Sequence, residues 1–497
     1  MFINILLETK TFIFDSIQKL MSGLLFNMPK TNAFLFKRLC LIGLSLMLIF
    51  STYFWTFYVN DGFFDYVIDV NTLKKASNIL NIDFYFGFDG LSISFFLLTL
   101  ILSFLCILFI WNEYSVKNYI ILLVAVKILL FLTFTTFNLF LFYVFFECIL
   151  IPMYLMIGLW GSREKKIRAS YLLFFYTVFG SILLLLSIIC IHKLQGNFHW
   201  GLLTFTGFPL EYQLFFWLAF FFAFASKIPM FPFHIWLPEA HVEAPTVGSV
   251  LLAGVLLKLG VYGFVRYSLM LFPNGSYFFI PFVYSLSIFG ILVGSFNAIK
   301  QTDLKKVIAY SSIAHMNLVV LGIFSFNLSG LEGVILQSVS HGFVASALFF
   351  IIGILYNRYH SRLLYYYGGL VHVMPICSSF MLFFIMSNIA LPGTSSFVGE
   401  FLLLNGIFQQ NFYCSILAAL SVILSGAYSL WLYNRVNFGN LKVEYLKKFQ
   451  DISAREFFIL YVLFHFSLIL GLNPDLLLDL NRYSVLNAFV FSNFFSI

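Results

Sequence analysis

The feature that most constrains this chain is a series of long apolar stretches, each about 20 residues or more, that runs through most of the sequence. A membrane-spanning helix needs about 20 apolar residues. Lipid offers no partner to exposed backbone N–H and C=O groups, so each spanning stretch must be helical. The sequence therefore predicts an all-α polytopic membrane protein with 13–14 transmembrane helices, the fourteenth being residues 3–25 if they insert. We place the other spans at about 36–58, 91–111, 119–136, 138–160, 169–191, 213–236, 244–266, 277–299, 303–323, 332–355, 373–404, 412–433 and 456–473.

Charge and cysteine usage exclude several classes of protein. Charged residues make up 10% of the chain, against about 25% in soluble domains, which excludes a large soluble core. The net charge of +7 is spread over loops, so nucleic acid is not an expected partner. None of the 6 cysteines forms a CxxC pair, which argues against disulfide, metal and Fe–S sites.

The connecting loops give the orientation and the extramembrane parts. Most loop lysines and arginines fall on one side of the predicted topology, and that side should be the cytoplasm or the matrix. The longest connection, about 59–90, is predicted to form an extramembrane cap. Residues 1–35 mix charges with apolar residues, which predicts an amphipathic or weakly inserted segment rather than a transit peptide.

Two spans contain helix breakers beside a charge. Span 213–236 has Lys227 followed by Pro229 and Pro232, and span 373–404 has Pro392 shortly before Glu400. Proline interrupts a helix, which a membrane tolerates where the break is buried or lines a wet cavity. Matched broken helices in two halves indicate an inverted-repeat transporter. We expect these units: 1–35, N-terminal segment; 36–118, first helices and loop; 119–270, first half-channel; 271–435, second half-channel; 436–497, C-terminal helix and tail.

Five charged residues lie deep in the predicted spans, namely Lys127, Glu147, Lys227, Lys258 and Glu400. A charge at the bilayer centre costs about 3 kcal/mol on insertion scales, so such residues are normally paired, hydrated or functional. The alternative is that the lysines reach the membrane surface or close structural ion pairs. For Lys127 we favour that structural reading, because nothing in the sequence partners it.

Two histidines, His315 and His341, lie in apolar spans between the lysine and glutamate sites. Histidine titrates near neutrality, which suits the transfer of protons. A lone buried histidine can equally be structural, but here we favour a relay. His234 and His241 lie near the end of a span beside Pro238, and we interpret them as loop residues.

Four motifs carry a resemblance to a known family: residues 145–147 (FFE), 236–260 (WLPEAHVEAPTVGSVLLAGVLLKLG), 301–305 (QTDLK) and 340–342 (SHG). The chain resembles the antiporter-like proton-pumping subunits of mitochondrial NADH:ubiquinone oxidoreductase, respiratory complex I, over about residues 85–475. The resemblance implies fourteen helices with two inverted five-helix repeats, each with one broken helix. It also implies a multi-pass protein of the mitochondrial inner membrane.

The resemblance assigns roles to the buried charges. Glu147 and Lys227 match a paired acid and base in the first half, and Lys258 matches a central lysine. The other matches are His315 and His341 at relay positions and Glu400 at the acid of the second broken helix. As a hypothesis, protons enter near Lys227, pass through Lys258, His315 and His341, and leave by Glu400.

The resemblance also implies partners. They are the other membrane-arm subunits of complex I, including flanking antiporter-like chains, and membrane lipids. The chain has no GxGxxG, Walker or haem motif, so we expect NADH, FMN, Fe–S clusters and ubiquinone to be bound by partner subunits. Two other readings stay open: a cation/proton antiporter that works without redox partners, and a structural membrane subunit.

Overall fold

Helices form nearly all of the fold. The computed structural model describes residues 37–38, 40–49, 52, 66–69, 85–111, 116–442, 444–445 and 450–494. The predicted N-terminal segment 1–35 lies outside the described residues. The helices of the first half are α1 (Cys40–Ile49), α2 (Gly90–Phe109), α3 (Val116–Thr135), α4 (Leu139–Cys148), α5 (Leu150–Trp160), α6 (Lys166–Gln195), α7 (Trp200–Thr206), α8 (Leu210–Lys227), α9 (Trp236–Glu243) and α10 (Thr246–Leu271).

The second half continues the same architecture. Its helices are α11 (Pro273–Phe278), α12 (Ile280–Lys300), α13 (Leu304–Ile323), α14 (Leu328–Tyr359), α15 (Leu370–Val373), α16 (Pro375–Asn388), α17 (Ser395–Gln410), α18 (Phe412–Asn437), α19 (Ala454–Leu472) and α20 (Asp475–Phe494). Within the described ranges, 10 helical segments are long and apolar enough to cross a membrane. The shorter α1 and the pairs α8/α9 and α16/α17 match the remaining predicted spans.

The predicted cap contains a β-hairpin that the all-α prediction did not include. Strand β1 (Tyr66–Asp69) pairs antiparallel with β2 (Tyr85–Phe88), with Tyr66 opposite Phe88. A second difference is at the C-terminus, where the predicted tail contains the 20-residue helix α20. This helix packs against α2, and the Leu480 carbonyl lies directly over Gly90.

The first predicted break is present, and its backbone groups are bonded within the protein. Helix α8 ends at Lys227 and α9 begins at Trp236. The indole N–H of Trp236 donates to the Ser226 carbonyl at 2.9 Å, and Asn317 Nδ2 donates to the Pro229 carbonyl at 3.4 Å. These bonds satisfy carbonyl groups within the interruption through side chains of the protein, which is what a break within a membrane requires.

The second predicted break separates α16 from α17. Its turn contains Ala390 and Gly393 with φ values of 66° and 92°, in the region that glycine adopts most readily. The Ser396 hydroxyl donates to the Ser387 carbonyl across the break, and the Thr394 hydroxyl donates to the Leu391 carbonyl at 2.7 Å. The break thus positions Glu400 about one turn inside the new helix.

Helices α10 and α14 form the centre of the bundle. Each has a membrane-length segment that is 100% buried within the protein. A Cβ on Gly342 would lie 3.2 Å from the Gly254 carbonyl oxygen, so the backbones of the two helices approach closely there. Helix α10 also contains two π-helical turns, Leu252–Leu256 and Phe264–Ser268. This close contact brings side chains of α10 and α14 together inside the protein.

Buried lysine and arginine side chains form bonds at both ends of this central region. On the positive side, Lys305 Nζ donates to the Ala244 carbonyl at 2.8 Å, and Arg362 donates to the Val242 carbonyl, so both cap the C-terminal end of α9. On the opposite side, Arg266 of α10 forms an ion pair with Asp89, the N-cap residue of α2.

Candidate functional site

Lys258 and His341 form the centre of the candidate site. Lys258 Nζ lies 3.0 Å from His341 Nδ1, and both residues are buried. The same nitrogen donates to the Ala253 carbonyl at 2.6 Å, inside the first π-helical turn of α10. A charged lysine has donors only, so His341 must accept through Nδ1 and be neutral while Lys258 is charged. The contact therefore fits at most one positive charge on the pair.

His315 and Glu400 form a second contact. His315 Nδ1 lies 2.9 Å from Glu400 Oε1, and the two side chains are 6% and 4% exposed. The His315 ring is also next to the His341 ring, with 5.9 Å between their centroids. The four side chains from Lys258 to Glu400 therefore form one buried series that crosses from α10 through α14 and α13 to α17.

The spatial order of this series differs from the order along the chain. The hypothesis from the sequence passed from Lys258 to His315 and then to His341. In the structure His341 contacts Lys258, and His315 contacts Glu400. The difference arises because α14 packs closely against α10, which places His341 rather than His315 against Lys258.

Lys227 and Glu147 lie near each other in the first half but do not form a close ion pair. Lys227 Nζ donates to the Phe146 carbonyl at 3.3 Å and lies 4.2 Å from the centre of the Phe146 ring. Glu147 is the next residue, and its Oε1 is buried without a hydrogen-bond partner in the protein. Each charge acts on the other. The expected acid and base are thus in an open arrangement, by which we mean neighbouring side chains without a direct ion pair.

Lys127 is separate from this series. It lies on α3 with 7% of its surface exposed, and its Nζ is 3.2 Å from the Met47 sulfur of α1. Cys40, which is also on α1, is close enough to interact with the Lys127 charge. Within the described residues no carboxylate pairs with Lys127.

The interpretation of His241 as a loop residue is wrong. His241 lies in α9, has no exposed surface, and stacks on Phe349 at 4.7 Å between ring centroids. The hydroxyl of Ser249 donates to the His241 carbonyl at 3.1 Å. His234 does lie between helices, in the first break. The short α9 escaped prediction because Pro238 within it reads as a helix breaker, although proline fits the first turn of a helix.

Sequence reasoning also missed two polar residues beside Glu400. Gln337 of α14 donates to Glu400 Oε1 at 3.0 Å. Tyr428 of α18 has a buried hydroxyl beside Ser311 and Asn388, with which it lines a cavity of about 20 Å³. That volume suffices for one water molecule. Neither residue had a recognisable signal, because single uncharged polar residues in apolar spans are also common packing elements.

No candidate metal site is present in the part of the chain that the structure describes. No group of three or more His, Cys, Asp or Glu side chains there is arranged to hold a metal ion. The 6 cysteines are all free. The chemistry that these residues can support is the transfer of protons between lysine, histidine and glutamate.

Fold and site together define a polytopic helical membrane protein with a buried series of proton-binding side chains. Residues 136–426 match the family described as NADH:quinone oxidoreductase/Mrp antiporter, transmembrane. The chain is 48% identical over 444 residues to NADH-ubiquinone oxidoreductase chain 4 of Marchantia polymorpha, covering 88% of each protein. It is 50% identical over 410 residues to the same protein of Arabidopsis thaliana, covering 82% of this chain and 83% of the relative.

Solved structures agree with these relatives. A chain of respiratory complex I from Thermus thermophilus superposes with a TM-score of 0.83 and 28% sequence identity, covering 96% of this chain and 97% of that one. The chain belongs to the NADH:quinone oxidoreductase/Mrp antiporter family and, within it, to the NADH-ubiquinone oxidoreductase chain 4 proteins.

Proposed function

We propose that Glu147, Lys227, Lys258, His341, His315 and Glu400 are the proton path of this chain. The chain is a proton-translocating membrane-arm subunit of NADH:ubiquinone oxidoreductase in the mitochondrial inner membrane. The observation that carries the proposed path is the buried series Lys258–His341–His315–Glu400. All four side chains are buried, so the proposed route runs laterally within the membrane rather than along its surface.

The short Lys258–His341 distance makes the transfer sequential. Two positive charges 3.0 Å apart repel each other by roughly 5 kcal/mol at an effective dielectric constant of about 20. A second proton therefore does not enter the pair until the first has left it. The repulsion is symmetric, so the direction of transfer comes from the partner subunits that drive this chain.

In the first half, the open Glu147–Lys227 arrangement supplies a means of coupling. At an effective dielectric constant of about 20, such a pair gains about 4 kcal/mol at roughly 4 Å and about half of that at roughly 8 Å. The difference of about 2 kcal/mol is close to the roughly 2.3 kcal/mol that one charge needs to cross 100 mV. Closing and opening this pair once would therefore offset about 100 mV.

The two halves of the chain and its partner subunits have separate roles in this proposal. Residues 119–270 and 271–435 act as two half-channels, arranged as inverted five-helix repeats, and each contains one broken helix with a charge at or just after the break. NADH, FMN, Fe–S clusters and ubiquinone are bound by partner subunits, whose redox chemistry drives this chain.

The proposal is tested in the assembled complex, reconstituted in liposomes and supplied with NADH and ubiquinone. The variants are Lys227→Ala, Lys258→Met and Glu400→Gln, and the measurement is the number of protons moved per electron. We expect a reduced ratio in each. Lys306→Met is the matched control, because Lys306 pairs with Glu239 at 3.0 Å on a partly exposed surface. It should keep the normal ratio.

Two results would contradict the proposal. A normal proton-to-electron ratio in all three variants would exclude these residues from the path. Loss of assembly in every charge variant, with no defect confined to pumping, would instead favour the purely structural reading.

A further inference from the structure

Gln337 occupies a position that the proposed path does not explain. It lies on α14 four residues before His341, is 1% exposed, and its Nε2 donates to Glu400 Oε1 at 3.0 Å. His315 reaches the same oxygen from α13 at 2.9 Å. The Glu400 carboxylate thus receives two donors from two different helices on one oxygen atom.

The other end of the Gln337 amide is also engaged. Ser340 Oγ lies 3.1 Å from Gln337 Oε1 and 3.0 Å from the Gln337 carbonyl. An amide has a donor end and an acceptor end, so a hydroxyl donating to Oε1 keeps the NH₂ end toward Glu400. Ser340 directly precedes His341, which connects the amide to the turn that holds the central histidine.

Small residues line the face between α14 and α17 at this contact. A Cβ on Gly399 would lie 2.8 Å from both Gln337 N and Gln337 Oε1. Likewise, a Cβ on Gly406 would lie 2.6 Å from the Gly330 Cα. Because glycine allows this close approach, the amide reaches the carboxylate of the residue that follows Gly399.

We infer that Gln337 is a positioning residue for Glu400: its amide holds the carboxylate toward His315 and links Glu400 to the turn carrying His341. This inference rests on the proposed role of Glu400 as the final acid of the path. A donor to a carboxylate stabilises the charged form, so Gln337 favours release of the proton that Glu400 receives. An amide that merely filled space would have no such effect.

The test compares Gln337→Met and Gln337→Glu in the assembled complex, with protons per electron measured as a function of pH. Among the described residues, the titratable groups that face Glu400 are His315 on α13 and Tyr428 on α18, with His341 beyond His315. Loss of one charge-assisted hydrogen bond corresponds to roughly a tenfold to hundredfold change in proton binding. We therefore expect Gln337→Met to move the pH midpoint of pumping upward by about one to two units. Gln337→Glu should move it further, because a second carboxylate beside Glu400 disfavours the charged form that the amide stabilises.

The matched control is Gln213→Met. Gln213 is also a buried glutamine, but its amide bonds only backbone, including the Phe208 carbonyl at 2.7 Å and the Asn274 N–H at 3.1 Å. This variant should reduce assembly while leaving the pH midpoint unchanged. Unchanged midpoints in both Gln337 variants, with Glu400→Gln still defective, would overturn this inference alone. A normal ratio in Glu400→Gln would overturn the proposed path itself.

Discussion

The buried ion pair between Asp89 and Arg266 gives a sharp test of the structure, through the substitution Arg266→Met. Both side chains are 3% exposed. The Arg266 guanidinium also lies 3.9 Å from the Trp200 ring and 4.5 Å from the Phe137 ring. Methionine fills a similar volume without charge. The substitution therefore leaves the Asp89 carboxylate buried without its cation.

The expected magnitude follows from these contacts. Removing one partner of a buried ion pair costs about 3–5 kcal/mol, most of it from the uncompensated charge. Loss of the cation–π contacts adds roughly 0.5–2 kcal/mol. Asp89→Asn should cost less, because Arg266 keeps its two aromatic neighbours and asparagine remains a good N-cap for α2. The double variant has no buried charge left, so it should recover most of the loss.

The assay is a thermal challenge of the membrane-embedded complex, followed by a native gel stained for NADH dehydrogenase activity. We expect the midpoint temperature of Arg266→Met to be the lowest, that of Asp89→Asn to be intermediate, and that of the double variant to lie above both. A double variant as unstable as the less stable single variant would refute the reasoning, because it would show that the two residues do not stabilise each other.

Two further predictions concern the centre and the periphery of the bundle. Gly342→Ala places a Cβ 2.8 Å from the Leu98 side chain of α2 and 3.2 Å from the Gly254 carbonyl oxygen of α10. The added methyl should move α14 away from both helices at a cost of about 1–3 kcal/mol, weaken the Lys258–His341 contact and lower the proton-to-electron ratio. Gly426→Ala is its control, since a Cβ there has its nearest neighbour at 3.9 Å, and a lowered ratio in both would contradict the packing argument. Lys127→Met removes a buried charge whose insertion costs about 3 kcal/mol. The midpoint temperature of the thermal challenge should therefore rise, and the proton-to-electron ratio should stay unchanged. Loss of pumping in Lys127→Met would instead place Lys127 in the path.

The sequence predicted the membrane spans and both broken helices, because apolar length and proline position act locally. Lys227 at the end of α8 and Glu400 after the second break lie where their neighbouring prolines indicated. Their position within apolar spans singled out the buried charges and histidines, and the structure brings four of the six residues assigned to the path into one buried series. Their roles in pumping stay a prediction.

What the sequence did not predict depends on contacts between distant segments. The pairing of Asp89 with Arg266 and the bond from Gln337 to Glu400 join residues that have no local relation. The reversed order of His315 and His341 depends on the close packing of α14 against α10, which places His341 against Lys258. The hairpin of β1 and β2 joins two short segments within a long loop, where periodicity over four residues is too brief to indicate a strand.

The burial of α10 and α14 on all sides has a consequence for the biosynthesis of the chain. Lys258 is translated 83 residues before His341, so α10 leaves the ribosome before its partner helix exists. During that interval the lysine has neither His341 nor the surrounding helices, and its burial in lipid would cost about 3 kcal/mol. Completion of the central helix pair therefore has to wait for the second half of the chain, and a truncated product ending before α14 would retain an unshielded lysine as a mark of incomplete assembly.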